Sequence, residues 1–533
     1  MIAMEHPSGT TRPSDTKPIW LRHAVALLAL HAVIGTICLR TVPRVFNDDA
    51  WLASLGDEFA KTHTLRHPII HGWGGMHVHF VQNQVVLPFV CAGFFKVFGF
   101  SIPAARLGSL LFGGIAVVSL YGLARRWFGG KQAFWIAIAL LVNLWFFEIS
   151  RRIRPEIYYT ASAIAALWCL AESIARRSAW LGFLSGIGAG LAALAHPSGL
   201  LLDVAIILGV FFWLPRRSAV ISTCWAITGF VFSVLPYLIY VGWAVGQPEV
   251  DFWAQMSGKA SVGLSGLDAR LAMELRRWKN FFQWPKGLPL AAVALVTWVT
   301  AWIRSSRHDK LLATVVGIFA LLLPFFTVNS AGRYLAPMTP FLAVLLVRSV
   351  YRLSSRPDGR AVRLRKTRIG LAVATALVYA TVNASAIGLM FYRLGGADVT
   401  RMLDRIAETT GPDARVYGDI MLWFAQDRFH YGPFPLDSKW DCTIDMVRPF
   451  EFDYVVRGAW SWAGSRGVSR PPQTMPPTRS GKAYDLVAEQ YGTKVDDFYD
   501  PDFGMIEIYK INWNRTPASG PTTAPFAHES SAS

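Results

Sequence analysis

Two short polar stretches carry residues suited to chemistry in a chain that is otherwise mostly apolar. The pair Asp48-Asp49 follows the first hydrophobic segment, and the run Arg151-Arg152-Ile153-Arg154-Pro155-Glu156 follows the third. Two membrane crossings between them place both stretches on the same face of a membrane. A carboxylate at such a position can take a proton from an acceptor hydroxyl or hold a divalent cation. Together with arginines, it suits a reaction in which a phosphate leaves.

The arginines are the candidate phosphate-binding residues, because a guanidinium presents a planar fork of donors to phosphate oxygens. Arginines at helix ends often only extend to lipid headgroups. On the face expected here, however, loop arginines are not favoured by the rule that cytoplasmic loops are basic. We therefore predict a donor phosphate site formed by Arg151, Arg152 and Arg154, with Glu156 beside them, while Arg333 is either a second phosphate contact or an interfacial anchor.

A set of histidines in the segment after the acidic pair offers a second possibility. Histidines at such spacings can bind zinc, and four of them are candidate ligands: His67, His71, His77 and His79. No accompanying cysteine or acidic pattern supports the site, so ordinary loop histidines are the alternative. The cofactor is therefore open, with a divalent metal cation as the candidate.

The composition indicates a membrane protein. The chain has 533 residues, of which 53% are hydrophobic and 16% charged, whereas soluble domains carry about 25% charged residues. Its repeated apolar runs match the hydrocarbon thickness, which predicts about eleven transmembrane helices. The net charge of +17 follows from basic loops between spans, so it indicates membrane topology and not nucleic-acid binding.

Loop charges also set the expected topology. A cytoplasmic tail (1–22) precedes a membrane domain (23–395) with extracytoplasmic loops; an extracytoplasmic α/β domain (396–513) and a disordered tail (514–533) follow. The C-terminal domain is predicted from an amphipathic helix at Val399–Thr409 and from strands at Arg415–Gly418, Tyr454–Arg457 and Met505–Ile511. The candidate spans are 23–40, 102–124, 132–150, 157–175, 179–196, 199–215, 219–245, 287–303, 311–328, 334–351 and 369–392.

Several motifs, taken in order, resemble the GT-C integral-membrane glycosyltransferases, and most closely the protein O-mannosyltransferase and aminoarabinose-transferase type. Between the acidic pair and the arginine turn, Val85–Phe100 is expected to lie along the interface as a helix. The motifs are Asp48-Asp49, Phe98-Gly99, Ala105-Arg106-Leu107, Ser150 to Glu156, and Arg333-Tyr334-Leu335-Ala336-Pro337. Where the family carries a Pro-Pro-Leu loop motif, this chain has Met76-His77-Val78-His79.

The resemblance implies an enzyme that moves a hexose or pentose from a polyprenyl-phosphate donor to a lipid, glycan or protein hydroxyl. It implies that Asp48 is the acid-base residue and that Glu156 with its arginines serves the donor. The expected location is the bacterial inner membrane, with the site on the periplasmic side. A transporter or lipid flippase is the alternative, since it would share the spans and the basic loops. It usually shows repeated halves with broken helices, which the sequence lacks.

Overall fold

The computed structural model describes residues 17–515, except 215, 258–266, 283–294, 296, 300, 303–305, 327–330, 355–361, 433, 436–441 and 459–482. Residues 1–16, most of the expected span 287–303 and the tail from 516 onward lie outside the described residues. Within the described part, the expected fold class is confirmed: a mainly helical membrane protein with a small C-terminal sheet.

Helices account for nearly all of the membrane domain. In chain order they are α1 (Lys17–Thr36), α2 (Asn47–Thr62), α3 (Val86–Phe98), α4 (Ile102–Phe128), α5 (Gly130–Leu141), α6 (Leu144–Ile149), α7 (Pro155–Arg176), α8 (Ala179–Ala195), α9 (Pro197–Trp213), α10 (Arg216–Val245), α11 (Phe252–Ser257), α12 (Leu267–Phe281), α13 (Arg307–Phe326), α14 (Thr339–Ser354) and α15 (Val362–Leu394). A short 3₁₀ helix, Gly332–Met338, leads directly into α14.

Seven helical segments of the described chain are long and apolar enough to cross a membrane, and α3, α5, α8 and α9 are shorter apolar helices. The chain is thus a multi-pass membrane protein. The flanks of α1 and α10 leave large apolar side chains exposed, among them Val25, Val33, Phe232 and Ile239. Such faces are expected against lipid tails, which are as apolar as these side chains.

Close approach between α8 and α10 depends on glycine. A Cβ on Gly186 would lie 1.8 Å from the Ala226 carbonyl oxygen, and one on Gly229 would lie 2.0 Å from the Phe183 carbonyl oxygen. Each helix therefore uses a glycine to receive the backbone of the other. In lipid the hydrophobic effect does not drive helices together, so close packing matters more, and small residues of this kind allow it.

The expected span 132–150 is not one helix, which corrects the prediction. It breaks at Asn143 into α5 and α6. The Asn143 side chain accepts from the Phe146 N–H at 3.0 Å, and Asn383 on α15 accepts from the Leu144 N–H at 2.9 Å. Backbone groups freed inside a membrane must find protein partners, and these amides supply them. The short α6 then delivers the chain to the arginine-rich turn.

A helix that the sequence did not predict, α2, begins directly at the acidic pair. Phe46 is extended, and its N–H donates to the Asp49 carboxylate at 3.1 Å. Acidic side chains are favoured in the first turn because the helix dipole is positive there. The predicted interfacial helix after it is present as α3. The segment expected as an outer loop therefore contains two ordered helices.

The C-terminal domain contains α16 (Val399–Thr410), α17 (Ile444–Val447), α18 (Ala483–Tyr491) and a five-stranded sheet. The three predicted strands are present as β2 (Arg415–Gly418), β5 (Tyr454–Gly458) and β7 (Gly504–Ile511), joined by β3 (His430–Tyr431) and β6 (Gly492–Asp500). The sheet order is β3-β2-β5-β7-β6, with β3, β2 and β5 parallel and β7 antiparallel to both of its neighbours.

The C-terminal domain packs onto the segment between α1 and α4. Strand β1 (Ile70–His71) pairs in parallel with β4 (Phe434–Pro435). Phe100, just before α4, contacts Trp423 edge to face with ring centroids 5.1 Å apart. The sheet domain and the first long loop therefore form one continuous surface on the same side of the helix bundle.

Replacing Gly186 with alanine should destabilise the bundle, because the added methyl group clashes with the backbone of α10. Overpacking of this kind typically costs about 1–3 kcal/mol. We expect a lower thermal unfolding midpoint in detergent. The matched control is Gly242→Ala on α10, the helix against which Gly186 packs. Nothing lies within 4 Å of the Cβ added there, so this variant should not lower the midpoint. Equal midpoints for both variants would show that the α8–α10 contact is not tight.

Candidate active site

The two acids of the pair have different environments. Asp49 is fully buried; its carboxylate caps α2 through Phe46 and lies 3.7 Å from the Arg106 guanidinium. Burial raises the pKa of Asp49, and the charge of Arg106 opposes this only in part. Asp48, one residue earlier, keeps 43% of its side chain exposed. Asp49 thus holds the helix in place, while Asp48 is the carboxylate that a substrate can reach.

Asp48 belongs to a group of four charged side chains, which we call the charge cluster: Asp48, Arg154, Glu156 and Arg333. Arg154 Nη1 forms an ion pair with Asp48, and its Nε lies 3.2 Å from Glu156 Oε2. Arg333 Nη2 lies 3.3 Å from Asp48 Oδ2, and its Nε lies 3.7 Å from Glu156 Oε1. The two arginines and two carboxylates together carry no net charge, and these distances put each charge next to an opposite one.

Exposure differs across the charge cluster. Glu156 is 1% exposed and Arg154 is 6% exposed at the base, whereas Arg333 is 27% exposed beside Asp48. Burial lowers the pKa of Arg154, but the carboxylates of Glu156 and Asp48 more than reverse this, so its pKa stands well above the ordinary value. Arg154 therefore remains a cation, and the mouth of the site presents one carboxylate and one arginine to a ligand.

Local structure explains how the turn before α7 and the 3₁₀ helix Gly332–Met338 bring their side chains to Asp48. Pro155 occupies the first turn of α7, where a missing N–H is tolerated, and Glu156 follows it at the positive end of the helix. Arg333 is presented by the 3₁₀ helix Gly332–Met338. A Cβ on Gly332 would lie 2.5 Å from the Phe281 nitrogen, so α12 packs directly on the turn that carries Arg333.

Two of the predicted phosphate ligands do not join the charge cluster. Arg151 is buried and donates to three carbonyl oxygens at and beyond the end of α1, those of Ile34, Ile37 and Val42. Arg152 pairs with Glu148 at 2.9 Å. The structure thus brings together Asp48, Arg154, Glu156 and Arg333, while Arg151 secures the end of α1.

The histidines do not converge. His67 is fully buried against Trp51, with ring centroids 4.5 Å apart, and His79 contacts Trp243 at 4.7 Å. His71 stacks on His77 at 4.5 Å. Among the described residues, no group of three or more His, Cys, Asp or Glu side chains is arranged to hold a metal ion. Asp48 instead contacts Arg154 and Arg333.

Arg106 is a supporting residue to which sequence reasoning gave no role. Lying within α4, it donates to the carbonyl oxygens of Leu39 and Pro43 at 2.8 and 2.6 Å and faces Asp49. A charged residue inside an apolar span is expensive and therefore marks a specific role. That signal was present in the sequence, but its partners could not be read from spacing.

Residues 83–243 match the family model described as dolichyl-phosphate-mannose-protein mannosyltransferase. ArnT from Cupriavidus metallidurans, solved bound to undecaprenyl phosphate, is similar in fold, with a TM-score of 0.58 over 87% of this chain and 97% of that chain at 14% identity. The chain has the GT-C fold. The resemblance expected from the sequence is confirmed.

A second GT-C structure, the Archaeoglobus fulgidus oligosaccharyltransferase in complex with Zn and sulfate, is similar with a TM-score of 0.55 at 13% identity, covering 92% of this chain and 74% of that one. No curated protein sequence matches the chain. Both structural similarities are at low sequence identity and show the shared fold.

Protonation of His67 should destabilise the protein at low pH. Burial lowers the pKa of His67 to about 3, so the folded state keeps the ring neutral while the unfolded state takes up a proton below about 6.5. The contribution of the neutral His67 ring to the free energy of unfolding is complete above about pH 6.5 and is lost as the pH falls toward 3. His67→Asn, which can still accept from the Ile69 N–H, should flatten this acid dependence.

The measurement is the thermal unfolding midpoint in detergent at about pH 7.5 and about pH 5, compared between wild type and variant. His63→Asn is the matched control, since His63 is exposed in the same loop and its positive φ suits asparagine. An equally steep acid loss in His67→Asn would show that other groups cause it.

Proposed function

We propose that this protein transfers a sugar from a polyprenyl-phosphate donor to a hydroxyl of a lipid, glycan or protein acceptor on the extracytoplasmic face of the membrane. The observation that carries the proposal is the contact of the exposed Asp48 with Arg154 and Arg333. It brings a carboxylate able to accept a proton close to two guanidinium groups able to bind phosphate. In support, ArnT, which has the same fold, is solved with undecaprenyl phosphate bound.

Phosphate recognition is assigned to Arg333 and Arg154. A donor phosphate at the mouth competes with Asp48 for the same guanidinium groups. Binding thereby releases the Asp48 carboxylate from its ion pairs, so the two guanidinium groups keep an anionic partner and Asp48 becomes available to accept a proton. Glu156, buried below, keeps Arg154 oriented throughout. Arg151 and Arg152 are not part of this contact, in contrast to the sequence expectation.

Catalysis then needs one proton transfer and one substitution. Asp48 accepts the proton of the acceptor hydroxyl, and the acceptor oxygen forms a bond to the anomeric carbon of the sugar. The bond from that carbon to the phosphate oxygen breaks, and its electron pair stays on the phosphate. Arg333 and Arg154 stabilise the charge that builds up on that oxygen. The products are the glycosylated acceptor and the polyprenyl phosphate.

Membrane orientation is part of the proposal. Basic residues end α4 and α7 far from the charge cluster, at Arg125, Arg126, Arg176 and Arg177. Cytoplasmic placement of these ends follows the positive-inside rule. It puts the charge cluster and the C-terminal domain together on the opposite side, where a lipid-linked donor is presented. In a bacterium this is the periplasmic side of the inner membrane.

Asp48→Asn should abolish sugar transfer without loss of folding or donor binding. Asparagine keeps the shape but cannot accept the proton, and loss of a general base typically costs about 10²–10⁴-fold in rate. The assay follows consumption of labelled lipid-linked sugars, extracted from the source organism, by purified protein with membrane acceptors. Binding is measured with undecaprenyl phosphate.

Glu58→Gln, on the same helix and paired with the exposed Arg66, is the matched control and should stay active. Near-normal turnover by Asp48→Asn would remove the acid-base role. Failure of the wild type to consume any sugar of the extracted pool would overturn the transferase function itself.

Arg333→Gln and Arg151→Gln should differ in what they lose. Arg333→Gln should weaken undecaprenyl phosphate binding by the value of a charge-assisted hydrogen bond, about 1.5–3 kcal/mol, with little change in thermal stability. Arg151→Gln should lower the thermal midpoint, because it uncaps three buried carbonyls, and leave affinity intact. The reverse pattern would restore Arg151 to the phosphate site and remove Arg333 from it.

A further inference from the structure

The C-terminal domain contacts the chain at two points just before Asp48, namely Asn47 and Arg44. Asn47 Nδ2 donates to Asp419 Oδ2 at 2.9 Å, immediately before Asp48. Arg44 lies with Nη2 3.9 Å from Asp502 Oδ1. Arg44, Asp419 and Asp502 are each at most 3% exposed. The Asn47–Asp419 hydrogen bond is the directional contact, and the longer Arg44–Asp502 ion pair adds a second attachment, so together they constrain where the start of α2 lies.

On the domain side, Asp419 is held rigidly. Asp419 directly follows the C-terminal end of β2. Its Oδ1 accepts from the Met421 N–H at 3.0 Å and so caps the 3₁₀ helix Ile420–Ala425. Its second oxygen therefore points at Asn47 without freedom to turn. Phe100 against Trp423 packs the same short helix onto the membrane domain.

The second contact, the Arg44–Asp502 ion pair, is longer, but the hairpin that carries Asp502 is ordered by its own hydrogen bonds. In the turn between β6 and β7, the Asp500 carboxylate accepts from the Asp502 and Phe503 N–H groups at 2.8 and 3.0 Å. Gly504 allows this turn with φ near 82°. The buried Phe503 ring lies under the Arg44 guanidinium, 5.7 Å from its carbon. A rigid hairpin tip thus meets the chain four residues before Asp48.

We propose that the C-terminal domain is part of the catalytic apparatus, with Asp419 acting through Asn47, and Asp502 through Arg44, as positioning residues for Asp48. The inference rests on the proposed role of Asp48. Because Asn47 and Asp48 are adjacent in the first turn of α2, a displacement of one moves the other relative to Arg154 and Arg333. A shift of about 1 Å at a reacting group can cost about 10²-fold in rate.

The geometry allows a test by exchange of side chains. Asn47→Asp places two carboxylates face to face, whereas Asp419→Asn keeps both the hydrogen bond and the cap on Met421 when the Asn47 amide turns to present its oxygen. The double variant Asn47→Asp with Asp419→Asn restores the hydrogen bond in the reverse direction and keeps the total charge. Gln426→Ala is the matched control, because Gln426 Nε2 bonds Asp57 at 2.8 Å from the same domain to the far end of the same helix.

Asn47→Asp should lower the maximal rate of consumption of the lipid-linked sugar pool by about 10-fold or more, and Asp419→Asn should lower it less. Donor KM and undecaprenyl phosphate affinity should stay near wild type, because Arg333 is untouched. The double variant should recover most of the rate, and Gln426→Ala should keep it.

An unchanged rate in Asn47→Asp would overturn the inference, as would a double variant no better than Asn47→Asp, or a loss in Gln426→Ala as large as that in Asn47→Asp. Asp48→Asn measured alongside separates the two levels. If Asp48→Asn keeps its turnover, the proposed function fails. If Asp48→Asn is inactive while the exchange series is flat, only the positioning role fails.

Discussion

The pairing of Asp48 with Arg154 and Arg333, over a buried Glu156, is the interaction on which the site depends. Removing charges from water is expensive unless each finds an opposite partner. Here two guanidinium groups and two carboxylates balance at the edge of an apolar bundle, with the most buried acid at the base. The arrangement is neutral as a whole, yet its exposed part can exchange one anion for another.

Keeping such a cluster in place requires supports that are themselves polar and buried. Arg106 and Arg151 both donate to carbonyl oxygens near the end of α1. Backbone carbonyls that are shielded from water and left unsatisfied cost several kcal/mol, and these guanidinium groups supply their donors. The two arginines therefore serve the chain that leads into α2, and the acidic pair begins from a fixed point.

Three distant parts of the sequence meet at this point. The first turn of α2 brings Asp48, the turn before α7 brings Arg154 and Glu156, and the 3₁₀ helix before α14 brings Arg333. The C-terminal domain adds a fourth part through its contacts with Asn47 and Arg44. Domain and bundle share one interface, and the proposed acid-base residue lies at it.

From the sequence alone, apolar length and loop charge determined that the chain crosses the membrane many times. Residue type and position determined which side chains could do chemistry. Those properties are local: a run of apolar residues is enough to define a span, and Asp48, Arg154 and Arg333 stand out by type and position. Tertiary structure decided which of two neighbouring acids is accessible and which of three arginines faces it. Asp48 and Asp49, or Arg151 and Arg154, are alike in composition, and only the direction in which each side chain leaves its turn separates them. That direction depends on partners such as Ile34, Arg106 and Asp419, which lie far away in the chain and leave no trace in local spacing.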